Sequence, residues 1–150
     1  MKKVFDNASV AVIFVKQDRP EGRNSNGSIY FEGNVIYSYG SHFPMCKIVG
    51  DTALVTNRTY SNTTAKHMNH LHSALRSSFL RVIYVNNPTA TSLHEVQQNV
   101  SDLLEGIADT EAKAKRSRKY KAELTETANR QTVNLYNYRT YITNIIAAAA

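Results

Sequence analysis

Cysteine is almost absent from this chain of 150 residues, where Cys46 stands alone. One thiol closes no disulfide and builds no multi-cysteine zinc site, so the fold has to rest on its core. Long apolar runs are missing too. The stretch from Ala8 to Val15 is far short of the ~20 residues needed to span a bilayer. Asp6 and Asn7 precede it and no small-residue cleavage site follows, so a secretory leader is not expected. A glycine-rich phosphate loop, a dinucleotide fingerprint, a nucleophile elbow and an H-E-x-x-H motif are all absent. In the strand-rich half, after the Ala8–Val15 run, acids are sparse: Asp18, Glu21, Glu32 and Asp51, all in turn-like surroundings. That is little acid for a metal-dependent nuclease, and neither a metal nor a cofactor is expected.

Apolar residues make up 42% of the chain, near the globular norm, which argues against wholesale disorder. The length suffices for a substantial core. Lysine and arginine exceed the acids to give a formal net charge of +6, a balance that favours anionic partners.

The pattern predicts an α+β fold. Val10, Val12 and Phe14 alternate with Ala11, Ile13 and Val15, which reads as a central strand over Ala8–Lys16 with both faces covered. Residues 17–27, rich in Arg, Pro, Gly, Asn and Ser, read as a long loop. Gly33-Asn34 between two β-rich runs marks a tight hairpin. Its register pairs Phe31 with Ile36 and Ile29 with Ser38 on a core face. Tyr30 with Tyr37, and Ser28 with Tyr39, fall on the other, giving a tyrosine face that either stacks unpaired bases or lies under the helices. A second hairpin turns at Gly50-Asp51 and pairs Ile48 with Ala53 and Cys46 with Val55.

A helix capped by Thr63 or Thr64 runs to about Ser77, with Met68, Leu71 and Leu75 as its stripe. Leu80–Val85 reads as a later strand, stopped by Pro88. From Ser92 two heptad-like seams follow. The first is Leu93, Val96, Val100, Leu103 and Ile107. The second is Leu124, Ala128, Gln131, Leu135, Tyr138, Ile142 and Ile145. Residues 1–88 are thus expected to form an α+β domain: a small, mainly antiparallel sheet with one helix. Residues 89–150 are expected to form a helical hairpin, packed on that domain or forming a seam between copies.

Between the seams lie Lys113, Lys115, Arg116, Arg118, Lys119 and Lys121, six cations that equal the net excess. On one continuous helix they would point in nearly every direction and pack against nothing, which leaves solvent or an anionic partner. Lys113 to Lys121, with Tyr37 and Tyr39, are the expected nucleic-acid contacts. The bland alternative is a solvated helix that aids solubility. His67 and His70 lie three apart on the predicted helix, but no carboxylate or thiol sits at ligand spacing, so a metal is not expected. If the chain is an enzyme, His42 and His67 are its candidate acid and base; otherwise both hold loops.

The run from Tyr30 to Pro44, Y-F-E-G-N-V-I-Y-S-Y-G-S-H-F-P, and the later Y-S-N-T-T-A-K-H from Tyr60 to His67 resemble an uncharacterised domain family scattered through bacteriophage and plasmid genomes. The resemblance covers about Ala8 to Leu80. It implies a context, a mobile-element protein in a bacterial host cytoplasm, and no activity. Its marked positions are Tyr37, Tyr39, Gly40, Ser41, His42, Phe43, Pro44, Tyr60, Ser61, Thr63, Thr64 and His67. Read structurally, they form a corner: Gly40 supplies a positive φ, Pro44 a rigid exit, and the threonines a cap. The expected function is nucleic-acid binding through the basic segment. The alternatives are a factor that binds or inhibits a host protein, including as a homodimer through its helical seams, and a small hydrolase or nuclease using His42 and His67.

Overall fold

The computed structural model describes residues 3–58 and 61–149, with side chains through residue 148. The chain is α+β. Helix α1 (Asn7–Lys16) precedes strands β1 (Glu21–Arg23), β2 (Ile29–Glu32), β3 (Val35–Ser38), β4 (Pro44–Val49) and β5 (Thr52–Thr56). Helix α2 (Asn62–Arg76), strand β6 (Arg81–Val85) and helices α3 (Leu93–Arg116) and α4 (Lys121–Ala149) follow. The sheet runs β1-β2-β3-β4-β5-β6 in sequence order, and the pairings from β1 to β5 are antiparallel. The chain divides into two compact units: Met1–Val82 with Asn87–Thr89, and Ile83–Asn86 with Ala90–Ala150.

Both hairpins have the register read from sequence. Ile29 pairs with Ser38, Tyr30 with Tyr37 and Phe31 with Ile36. Cys46 pairs with Val55 and Ile48 with Ala53. Between β3 and β4 the register shifts at Ile36/Tyr37, so that Ile36 faces Cys46 while Tyr37 faces Pro44. Ile29, Phe31, Ile36, Cys46, Ile48, Ala53 and Val55 form a core with Val10 and Phe14 of α1 and Leu71 and Leu75 of α2.

The expected central strand Ala8–Lys16 is instead a helix. Both faces of that run are apolar, so periodicity alone does not separate helix from strand. Burial decides it. Val10, Ala11 and Phe14, at helical spacing, are wholly buried, and Asp6 caps the start by accepting the Ser9 N–H at 2.8 Å. Gln17 ends the helix with φ +54, its N–H donating to the Phe14 carbonyl at 3.0 Å. The expected loop over 17–27 likewise contains β1. Gly22 in β1 faces Phe31, and a Cβ there would stand 2.7 Å from the Phe31 ring. Helix α2 starts earlier than expected: Ser61 is its N-cap, in place of Thr63 or Thr64.

In the second unit α3 and α4 pack as an antiparallel-type hairpin joined by a short turn at Ser117–Tyr120. Ser92 opens α3 with a reciprocal capping box to Glu95. The α4 seam buries Ala128, Leu135 and Tyr138 as read. The α3 seam buries Leu103 but is led by Asn99 and Ala114, while Leu93 is 73% exposed. Asn99 donates its amide to the Tyr138 hydroxyl at 3.0 Å, a buried polar pair inside the seam. Each seam thus buries part of its apolar side chains within the hairpin and leaves others exposed, Leu93 on α3 and Ile145 on α4.

Candidate functional site

The motif residues converge on a corner between β3 and the start of α2. Ser38, the last residue of β3, points to the core face and is wholly buried. Its hydroxyl lies 2.8 Å from His67 Nδ1 and 3.1 Å from Thr64 Oγ1. Ser61 donates its hydroxyl to Thr64 Oγ1 at 3.1 Å and accepts the Thr64 N–H at 3.1 Å.

Each hydroxyl carries one hydrogen and two acceptor lone pairs, so the Ser38–Thr64 bond can run either way and the Ser38–His67 bond follows the His67 tautomer. Burial, and then the neighbouring His70, hold the His67 pKa below the usual histidine range, which favours the neutral imidazole. The hydrogen-bonded chain runs from exposed Ser61 to buried His67.

Tyr39 covers this corner. It takes φ +56, in the left-handed region that a bulky residue rarely occupies, and Gly40 follows at φ +96. That break in strand geometry carries Tyr39 off the expected tyrosine face. Its ring centroid lies 5.8 Å from that of His67, and the side chain is 57% exposed. Tyr30 and Tyr37 do stay together, stacked at 5.1 Å and 22°, both half-buried. Phe43 is buried, with the Arg58 guanidinium 4.9 Å above its ring, and Pro44 opens β4.

The other marked positions do not enter the network. Ser41 and His42 are exposed on the β3–β4 loop, and Thr63 is exposed on α2. Tyr60 lies outside the described residues. His42 has no hydrogen bond to His67 among the described residues. Ser38, fully buried, offers no open nucleophile. The Cys46 thiol is buried too, and burial pushes its pKa well up. Among the described residues no group of three or more His, Cys, Asp or Glu side chains is arranged to hold a metal.

The six cations lie elsewhere, in the second unit. They do not ring one continuous helix as the sequence pattern predicted. Lys113, Lys115 and Arg116 occupy the last turn of α3, Arg118 and Lys119 the turn, and Lys121 the first position of α4. Three of them thus sit at a helix C-terminus, where the macrodipole favours positive charge. All six are exposed around the buried Ala114. Among the described residues none of the six is in a salt bridge; the two bridges found are Lys3–Glu21 and Glu126–Arg130. Tyr120, which the sequence reading passed over, stands in the middle of them, 49% exposed, with the Lys119 ammonium 5.2 Å over its ring. Among the described residues no helix is long and apolar enough to cross a membrane.

No curated protein and no solved structure matches the chain. A family model does match residues 7–79, a stretch that contains the Ser38–His67 corner and excludes the basic tip, and it is that of a family of unknown function, DUF8033.

Proposed function

We propose that this chain is a nucleic-acid-binding protein whose contact surface is the basic tip of the α3–α4 hairpin. One observation carries the reading: six exposed cations gathered at one turn with no acid paired to any of them among the described residues. Like charges held together repel, and among the described residues no ion pair offsets that cost. A polyanion does, by exchanging its condensed counterions for the protein's fixed cations. The family match falls within the α+β unit, and the resemblance to mobile-element proteins supports a bacterial cytoplasmic setting.

Binding of mixed-sequence DNA and RNA, followed by fluorescence anisotropy across a salt series, tests this. Affinity is expected to fall steeply with salt, with a log–log slope on duplex of about −5 if all six cations meet phosphates. Replacing Lys115, Arg116, Arg118 and Lys119 together by alanine should flatten the slope and abolish most binding. Absence of retention at low ionic strength overturns the reading.

A second reading, a protein partner, is favoured by one feature of the first unit. A groove of about 620 Å³ lies between α1 and α2, lined by Val12, Val15, Ala74 and Leu80, with Phe79 fully exposed on its rim. Capture of one host protein that survives nuclease treatment, and is lost in Phe79→Ser, would support that reading over the first.

A further inference from the structure

We propose that the basic tip prefers single-stranded to duplex nucleic acid, with Tyr120 as the platform on which one unpaired base stacks. This rests on the reading of the tip as a nucleic-acid surface and adds to it the form of the strand.

Cations alone do not discriminate between strand forms, because both present phosphates. An accessible aromatic ring does. In a duplex the base faces are already stacked on one another, whereas an unpaired base has a free face to offer. Tyr120 is placed to meet it. Lys119 and Lys121 flank it directly, Arg118 precedes them, and half of the tyrosine is open to solvent.

The residue is also held in position. Its N–H donates to Ser117 Oγ at 2.9 Å, and its carbonyl accepts the Leu124 N–H at 2.9 Å as α4 begins. The backbone is thereby fixed at both ends of the residue, and only the ring torsions are lost on stacking. Lys119 lies over the ring, so a base stacked on the opposite face would bring its phosphates within reach of the flanking cations. The other aromatic pairs are committed elsewhere: Tyr30 stacks on Tyr37, and the buried Tyr138 on Tyr141 at 6.3 Å.

The chain contains no tryptophan, so Tyr120→Trp introduces a single reporter. The experiment measures anisotropy of labelled single-stranded DNA, single-stranded RNA and duplex DNA of equal length, with wild type, Tyr120→Ala and Tyr120→Phe. Circular dichroism confirms that helix content is unchanged in each. Wild type is expected to bind the single strands more tightly. Tyr120→Ala should lose roughly tenfold on single strands and little on duplex, and Tyr120→Phe should keep the wild-type preference. Tyr120→Trp fluorescence should be quenched by single strands and not by duplex. Equal binding of both forms, or an equal loss on both in Tyr120→Ala, overturns the stacking proposal and leaves the charged surface standing. No binding of any strand overturns the surface itself.

Discussion

Asn134 of α4 pairs its carboxamide with the backbone of Tyr84 in β6, accepting the Tyr84 N–H at 2.7 Å and donating to the Tyr84 carbonyl at 2.8 Å. The side-chain amide thus takes the place that a neighbouring strand's peptide would occupy beside this residue. Both groups at Tyr84 would otherwise turn to water or recruit another chain.

Replacing Asn134 by alanine should therefore destabilise the protein by about 1–2 kcal/mol, the net worth of two partly exposed hydrogen bonds. Asn134→Asp keeps the acceptor and loses the donor, so it should fall between the two. Urea unfolding measures the difference, and faster hydrogen exchange at the Tyr84 amide in the alanine variant localises it. Unchanged exchange there would sink the account.

Two glycines should respond in opposite directions to the same substitution. A Cβ at Gly22 would meet Phe31 Cε1 at 2.7 Å, and Phe31 is buried against Phe14 with centroids 5.6 Å apart. The ring would have to shift against its buried packing, so Gly22→Ala should cost about 1–3 kcal/mol through overpacking. Gly106 lies inside α3, and its Cβ would meet only Gln131 Nε2 at 4.0 Å. There the backbone entropy of glycine dominates, and Gly106→Ala should raise stability by about 0.5–1 kcal/mol. Thermal melts of the pair settle both signs.

These cases show where the sequence was readable. The hairpins were legible because period-two alternation and the Gly33 and Gly50 turns specify register together. The α4 seam was legible because Ala128, Leu135 and Tyr138 recur on one stripe. Helix α1 was not, because a run of valines and isoleucine apolar on every side fits strand and helix alike, and only the packing of Val10 and Phe14 chooses. Strand β1, Glu21-Gly22-Arg23, buries only a glycine and has no pattern to read. The corner was half legible. His67 and Thr64 stood out, but Ser38, 29 residues from His67 in the chain, belonged in the reading to a core face. Its role depends on α2 crossing β3, which no local pattern encodes. The strain at Tyr39 was hidden for the same reason.

The seam of the hairpin carries a polar pair that should behave as a unit. Asn99 and Tyr138 are both about 1% exposed and bonded to each other. Tyr138→Phe leaves the Asn99 amide without its hydroxyl partner and should cost about 1–3 kcal/mol. Asn99→Leu combined with Tyr138→Phe removes both polar groups and should recover much of that loss. If the pair sets the register of α3 on α4, the double variant will melt with lower cooperativity despite its regained stability.

Acid should loosen the Ser38–His67 corner. The His67 pKa is lowered in the folded protein by burial and by His70, and that of His72 by burial and by Arg76. In the unfolded chain both titrate near the ordinary value of about 6.5. Below that pH the unfolded state binds more protons than the folded one, so stability is complete above it and falls as pH drops toward the depressed folded values. Protonated His67 would also carry a hydrogen on Nδ1, so the Ser38 hydroxyl would then have to accept there. Wild type should therefore lose melting temperature between about pH 7 and pH 5. His67→Asn keeps an acceptor near the Nδ1 position without a titrating proton. Its melting temperature should fall less steeply over the same range, the remaining slope coming from His72. Parallel curves for wild type and His67→Asn would show that the corner does not sense the proton.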